Sequence, residues 1–180
     1  DYALAAHDYS RAADLIERYW GDVMSTGEVE AVWSWLDALP ADVVKNSAPL
    51  SVACGWVLWL RGQTGAIEPH LLNAERALDE PVVSQGGDGG DAAYASLPAE
   101  LAALRSFVAR YHNEFETACE LAGRALSLLP GHLPPQVDTQ LRTLILLAQA
   151  SAYDGAGDLE RAVDAYAETI RLSRLGNNTA

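Results

Sequence analysis

An internal repeat is the feature that most constrains what this chain can fold into. The segment AYDGAGDLERAVDAYAETI, residues 152–170, follows the pattern of ARYHNEFETACELAGRAL, residues 109–126, when Ala162 is laid over Ala118. The other matched pairs, also 44 residues apart, are Asn113 with Gly157, Phe115 with Leu159, Ala122 with Tyr166, and Ala109 with Tyr153. A third, fainter copy has Gly65 at the turn, followed by Ile67, Ala74 and Ala77. A unit that recurs in this way predicts a fold made by stacking copies of it.

Each copy consists of the end of one helix, a turn and the start of a second helix. A small side chain in the second helix lets two helices approach closely, and a large side chain one turn away fills the gap beside it. One such hairpin cannot bury its apolar faces alone, so hairpins stack. No segment shows the alternating pattern of a strand. The sequence therefore predicts an all-α fold, a right-handed superhelix of stacked antiparallel helix pairs with about eight long helices and one or two short ones.

Capping and turn residues give approximate ends for these helices. Asp8 or Ser10 can cap the first helix, and Gly27 ends it. Pro98 and Pro135 both suit the first turn of a helix, where a missing N–H is tolerated. The turn residues Asn113 and Gly157 suit left-handed caps between paired helices.

The chain is expected to be one repeat domain over residues 1–180 and a fragment of a larger protein, since it begins without Met. The run PLSVACGWVLWL, residues 49–60, is apolar on nearly every side, and a helix of that kind must be covered by several neighbours. The segment 81–96 breaks the helical pattern with a cluster of glycines and aspartates. We expect a flexible loop there.

The formal net charge of −13 excludes several classes of function for this segment. Phosphate contacts require a basic face, so direct contact with nucleic acid is not expected. Docking on anionic lipid is disfavoured for the same reason, and residues 49–60 are too few to cross a bilayer. Cys54 and Cys119 both lie in apolar helical stretches, which predicts buried thiols rather than a disulfide framework. These observations favour a cytoplasmic protein.

The sequence contains no recognisable catalytic or cofactor motif. SQGGDGGDAAY has the glycines of a phosphate-binding loop but no lysine, and its aspartates would repel phosphate. The four histidines are scattered without metal-ligand spacing, and neither cysteine has a nearby histidine that would activate it. We therefore predict a non-enzymatic protein with no catalytic residues, metal or cofactor.

Five tryptophans are unusual in a chain of 180 residues, and four of them lie between residues 33 and 59. Trp33 and Trp56 fall on apolar stripes, which predicts core positions. Trp35 and Trp59 are open between two interpretations. They either pack between neighbouring helices or present an aromatic face to a sugar or peptide.

The repeat resembles the tetratricopeptide repeat in its small–turn–aromatic–Ala arrangement, best seen in YDGAGDLERA, residues 153–162. Its spacing of 44 to 48 residues exceeds the usual ~34, which longer helices and loops explain. Such arrays bind ligands on a concave face formed by the first helix of each pair. The resemblance implies that the groove-facing positions here are Trp59, Phe107, Arg110, Leu147, Ser151 and Asp154. A row that mixes an aromatic, a guanidinium, a hydroxyl and a carboxylate suits a small polar effector or a peptide.

A narrower resemblance covers nearly the whole chain. Four segments are similar to the helical-repeat sensor region of the MalT-like, LuxR-type bacterial transcriptional regulators. They are AADLIERYW…TGEVEAVWSWLDALP (12–40), PLSVACGWVLWLRGQ (49–63), HLLNAERAL (70–78) and GDLERAVDAYAETIRLSRLGN (157–177). The most specific part is WLDALP, residues 35–40, and it is a pattern of packing residues. In that family a nucleotide-binding module precedes the superhelix and a helix-turn-helix follows it.

Two functions remain open at this point. The first is an effector-sensing module, in which a small molecule or peptide in the concave groove changes the curvature or the self-association of the repeat. The second is a tetratricopeptide-type scaffold that holds protein partners without a small-molecule effector.

Overall fold

The computed structural model describes residue 4 and residues 6–79 and 90–177 of the chain. Within these residues every regular element is helical and no strand occurs, so the all-α prediction is confirmed. The chain divides into two compact units, residues 1–97 and residues 98–180. We describe each unit by itself, and the expected single repeat domain and right-handed superhelix stay predictions.

Unit 1 begins with five helices and one short 3₁₀ turn. They are α1 (Tyr9–Ser25), α2 (Val29–Asp37), α3 (Ala41–Lys45), α4 (Ala48–Leu60), the 3₁₀ turn Thr64–Ala66 and α5 (Glu68–Asp79). The helix α6 (Gly90–Tyr111) contributes residues to both units. Unit 2 continues with α7 (Phe115–Ser127), α8 (Pro135–Ala156) and α9 (Leu159–Asn177). The described residues thus form eight helices of nine or more residues and the five-residue α3, as the sequence predicted.

The core of unit 1 is built around α4. Every residue of this helix from Ala48 to Leu58 is buried, as its all-round apolar composition predicted. Leu50, Ala53 and Val57 of α4 pack with side chains of α1 and α2. The one buried hydroxyl on this helix, Ser51 Oγ, donates a hydrogen bond to the Val44 carbonyl at 2.9 Å. That bond satisfies a polar group that would otherwise destabilise an apolar core.

The helix ends follow the predicted caps. Asp8 caps α1 by accepting a hydrogen bond from the Arg11 N–H at 3.2 Å. Asn113 (φ 62°) and Gly157 (φ 79°) are both in the left-handed region, at equivalent turns between paired helices. Pro135 is the first residue of α8, as predicted.

Unit 2 is held together by small residues at helix contacts. Ala109 of α6, Ala118 of α7 and Ala152 of α8 form one buried cluster, and the last two have no exposed surface. The second helix of the last pair, α9, packs along α8 through buried Ala162 and Ala165. The repeat alignment on Ala118 and Ala162 therefore matches two residues that are both buried at helix contacts.

The prediction of a loop over residues 81–96 is wrong for its second half. Residues 90–96 are the first turns of α6, and residues 81–89 lie outside the described residues. The prediction of Pro98 at a first turn is also wrong, because Pro98 lies inside α6. Ser96 and Leu97 are 2% and 3% exposed, so burial favours the helix upstream of the proline and offsets the missing backbone hydrogen bond.

Candidate functional site

The six predicted groove residues lie on three helices in two units. Trp59 is near the end of α4 in unit 1, and the other five are in unit 2. Phe107 and Arg110 are on α6. The remaining three, on α8, are Leu147, Ser151 and Asp154. The structure therefore brings one group of five predicted residues into the same compact unit.

The α8 residues lie on one face of that helix. Leu147, Ser151 and Asp154 are spaced by four and three residues, which places them on successive turns of the same side. Leu147 is 40% exposed, Ser151 is half-buried and Asp154 is exposed. On α6, Phe107 and Arg110 are three residues apart and both half-buried. We call these five residues the α6–α8 face.

Arg110 joins the two helices of this face. Its Nε–H donates a hydrogen bond to the Ser151 carbonyl at 2.9 Å. Its guanidinium carbon lies 5.1 Å from the centre of the Phe115 ring, in cation–π geometry. Sequence analysis placed Arg110 and Ser151 in the same row, and the structure shows them in contact. Arg110 binds the backbone carbonyl of Ser151 and not the Ser151 hydroxyl.

Gly155 makes this contact possible. A Cβ atom at this position would lie 2.5 Å from the Arg110 Nε and 2.6 Å from two carbons of the Phe115 ring. The absence of a side chain therefore lets the arginine and the aromatic ring lie directly against α8. Sequence analysis did not single out Gly155, because a glycine near a helix end is more often a cap than a contact.

The bond from Nε is the one hydrogen bond that Arg110 makes through its side chain within residues 6–79 and 90–177. Its two terminal nitrogens are donors in the planar fork that binds a carboxylate or a phosphate in bidentate fashion. Since the stacking on Phe115 and the bond to Ser151 fix the arginine, this side chain is already oriented before any ligand arrives. Preorganisation of this kind lowers the entropy lost on binding.

Two further repeat-equivalent positions were missed. Ser106 and Ala150 are 44 residues apart, three residues before Ala109 and Tyr153, and neither has exposed surface. The Ser106 hydroxyl donates to the Ala118 carbonyl at 2.8 Å, which ties α6 to α7. Extending the alignment by one helical turn upstream would have found this pair.

Of the two tryptophans predicted at core positions, Trp56 is buried and Trp33 is half-buried. Trp56 is 6% exposed, which confirms a core position. Trp33 and Trp35 are half-buried and pack against the same core. The outer surface of Trp33 is covered by Arg61, whose guanidinium carbon lies 4.8 Å from the ring and whose Nη1 is 2.9 Å from a Glu30 oxygen. Trp59 is half-buried, and its place in a groove stays a prediction.

Burial shifts the pKa of several groups in unit 1. It raises the pKa of the Cys54 thiol to about 12 and lowers the pKa of His70, whose Nδ1 has no hydrogen-bond partner in the described part of the chain. Burial also raises the pKa of Glu17. A hydrogen bond from the Ser47 hydroxyl, at 2.5 Å, opposes that shift. Cys54 is buried as predicted, whereas Cys119 is only half-buried.

Within the described residues, no three side chains of the His, Cys, Asp or Glu type are grouped so that they could hold a metal ion. None of the described helices is both long enough and apolar enough to span a bilayer.

Within its described residues this chain is an all-helical protein, as expected for a fold built from helical repeats. The chain is similar to the serine/threonine-protein kinase PknK from two strains of Mycobacterium tuberculosis and from Mycobacterium bovis. Each of these kinases is 28% identical to the chain over 137 residues. The match covers 76% of this chain but only 12% of the kinase, so the chain spans about an eighth of the length of these relatives. No family model and no solved structure matches the chain.

Proposed function

We propose that this chain is a non-enzymatic binding module, the effector-sensing helical-repeat region of a larger regulatory protein. Its ligand is a small polar molecule or a peptide held on the first helices of the repeat. The resemblance to MalT-like regulators supports the regulatory role and a position between a nucleotide-binding module and a DNA-binding module. The cytoplasmic location belongs to the same proposal.

One observation carries the proposal, namely the hydrogen bond between Arg110 of α6 and Ser151 of α8. Because it joins the first helices of two successive hairpins, side chains from both helices contribute to one surface. That surface combines half-buried Phe107, exposed Leu147 and exposed Asp154 with the fixed guanidinium. Apolar area with a few oriented polar groups is the composition of ligand sites.

The charges of the face indicate what it can hold. The Arg110 fork suits a carboxylate or another planar anionic group, and the Asp154 carboxylate suits an ammonium or hydroxyl donor. A zwitterionic metabolite or a short peptide offers both groups. The net charge of −13 opposes a polyanion such as DNA, so DNA contact is assigned to a different part of the larger protein.

The similarity to PknK supports membership in a larger signalling protein and nothing more specific. Since the matched segment is 12% of that kinase, kinase activity is not part of the proposal.

A thermal-shift screen tests the proposal. Small polar metabolites, sugars and short peptides are added to the purified chain, and a ligand of the face is expected to raise Tm because it binds only the folded state. The gain should be lost in the Leu147→Ala, Asp154→Asn double variant, whose two residues are exposed and should fold normally. Asp164→Asn, an exposed aspartate on α9, is the matched control and should retain the gain.

Three outcomes contradict parts of the proposal. Stabilisation by peptides alone favours the scaffold function over effector sensing. Stabilisation that survives the double variant places the ligand elsewhere. If no compound raises Tm, the face is not a binding site for these ligand classes.

A further inference from the structure

The last helix of unit 2 carries an apolar stripe that the described residues leave partly exposed. Four of its residues, spaced by four, three and four positions, lie on one side of α9. Their exposed fractions are 63% for Leu159, 65% for Val163, 37% for Tyr166 and 52% for Ile170. We call these four residues the α9 stripe. Single exposed apolar residues are ordinary, but an aligned row of four indicates an interaction surface.

The adjacent side of α9, about a quarter turn around the helix axis from the stripe, is already packed. Ala162, Ala165 and Thr169 are 3%, 8% and 9% exposed, and they face α8. The helix therefore has two apolar sides, one buried within unit 2 and one open. A helix that is apolar on two sides is typical of the interior of a stack rather than of its polar end.

The internal repeat identifies the counterpart of this stripe on α7. Shifting each position of the α9 stripe by 44 residues gives Phe115, Cys119, Ala122 and Leu126. None of these four is exposed. Ala122 has no exposed surface, and the other three are half-buried. The same side of the second helix is thus covered in one hairpin and open in the next.

The structure shows what covers the α7 counterpart. Phe115 lies against Arg110 and against the backbone of Gly155 on α8. Cys119 packs against the cluster that includes Ala152 of α8. Burial raises the pKa of this thiol, and the nearby Asp158 carboxylate, in the turn after α8, raises it further. The covering group is therefore the first helix of the following hairpin, which approaches closely through two small residues three positions apart.

We propose that the α9 stripe is the docking site of one further helical hairpin, attached C-terminally in the same polypeptide and packed as α8 packs on α7. Its first helix should present small residues at the positions equivalent to Ala152 and Gly155. The larger residues Val163 and Tyr166, which replace Cys119 and Ala122, would fill a wider gap. This inference does not depend on the proposed effector role.

A hairpin in the same chain fits this surface better than a second copy of the protein. Stable complexes of separate chains bury about 800 Å² on each partner. The α9 stripe is four side chains, none more than 65% exposed. A covalently attached hairpin loses far less translational and rotational freedom than a free partner, so a small apolar row is sufficient to hold it.

The test compares the natural chain with an extended chain. In the extended chain, residues 128–177 are repeated after Arg171, which is the 44-residue equivalent of Ser127 at the end of α7. Both chains carry Val163→Cys, and modification of each cysteine by a thiol reagent is followed by mass spectrometry. The extension should slow modification of the introduced thiol by about tenfold or more, since a packed site reacts only when it opens locally.

Asp164→Cys is the matched control. Asp164 is exposed, and its counterpart Glu120 stays exposed although the following hairpin is in place. A thiol at position 164 should therefore react equally fast in both chains. Val163→Glu is a second variant. In the natural chain it should leave Tm unchanged. In the extended chain it should abolish the additional helical signal that circular dichroism detects on extension.

Three results would overturn the proposal. The first is a repeated segment that is helical while the thiol at position 163 stays fully reactive. The second is an added segment that remains unfolded while the rest of the chain is folded, because a hairpin that packs on the α9 stripe should fold when it docks. The third is a natural chain that is a dimer by sedimentation and becomes a monomer with Val163→Glu, which would make a second copy the occupant.

Discussion

Replacing Gly155 with alanine tests whether the contact between α6 and α8 stabilises unit 2. In an ordinary helix this substitution is favourable by about 0.5–1 kcal/mol, because glycine has the larger conformational entropy when unfolded. At position 155 the new methyl group would lie 2.5 Å from the Arg110 Nε and 2.6 Å from the Phe115 ring. Both side chains must move away from α8 to accommodate it.

The expected loss follows from the contacts that this movement breaks. A hydrogen bond from a charged donor contributes about 1.5–3 kcal/mol, and a partly exposed cation–π contact contributes about 0.5–1 kcal/mol. Arg110 makes one of each, to the Ser151 carbonyl and to Phe115. After the gain in helix propensity is subtracted, Gly155→Ala should destabilise the chain by about 1–3.5 kcal/mol.

Urea unfolding followed by circular dichroism measures this change. Gly123→Ala is the matched control, because Gly123 is also in a helix of unit 2 and a Cβ atom added there would have no other atom within 4 Å. It should raise stability by about 0.5–1 kcal/mol. All five tryptophans are in unit 1, so an unchanged fluorescence transition would locate the loss in unit 2. If Gly155→Ala matches or exceeds the stability of the natural chain, the argument for this contact is refuted.

Two further predictions concern groups buried in unit 1. Burial raises the pKa of Glu17, so the folded state holds this proton more tightly than the unfolded state. The stability it contributes is complete below its ordinary pKa of 4.5 and is lost as pH rises through the raised value. Glu17→Gln should therefore be more stable than the natural chain at pH 7 but not at pH values below 4.5, as urea midpoints across pH would show. An equal difference in stability at both pH values would contradict this. Burial also raises the pKa of the Cys54 thiol to about 12, so iodoacetamide at pH 8 should modify half-buried Cys119 before Cys54. Mass spectrometry follows the two modifications, and a Cys54 that is modified before Cys119 would contradict this prediction.

Much of the fold could be predicted because local patterns and burial agree along most of the chain. The all-round apolar α4 is buried throughout, and Asn113 and Gly157 are left-handed, as their positions in the repeat implied. The exception is Pro98, where a local rule and tertiary packing conflict. Burial of Ser96 and Leu97 extends α6 through the proline, and no local pattern reveals that burial.

The candidate site could be predicted only in outline. The repeat placed Arg110 and Ser151 in one row because equivalent helix positions face the same way. Which atoms meet depends on the distance between α6 and α8, and that distance is set by Gly155 and the alanines around it. The open side of α9 was also not predicted, because its exposure depends on what packs next to it rather than on its own residues.

The left-handed turns at Asn113 and Gly157 have a consequence for how such a chain diverges. Few residue types tolerate a positive φ, so these two turns accept few substitutions, whereas the helix positions around them accept more. Cys119 and Val163 differ, as do Ala122 and Tyr166, although Asn113 and Gly157 both keep the left-handed turn between paired helices. Substitutions along the helices can thus give each hairpin its own binding preferences while the turn that closes it keeps the same backbone conformation.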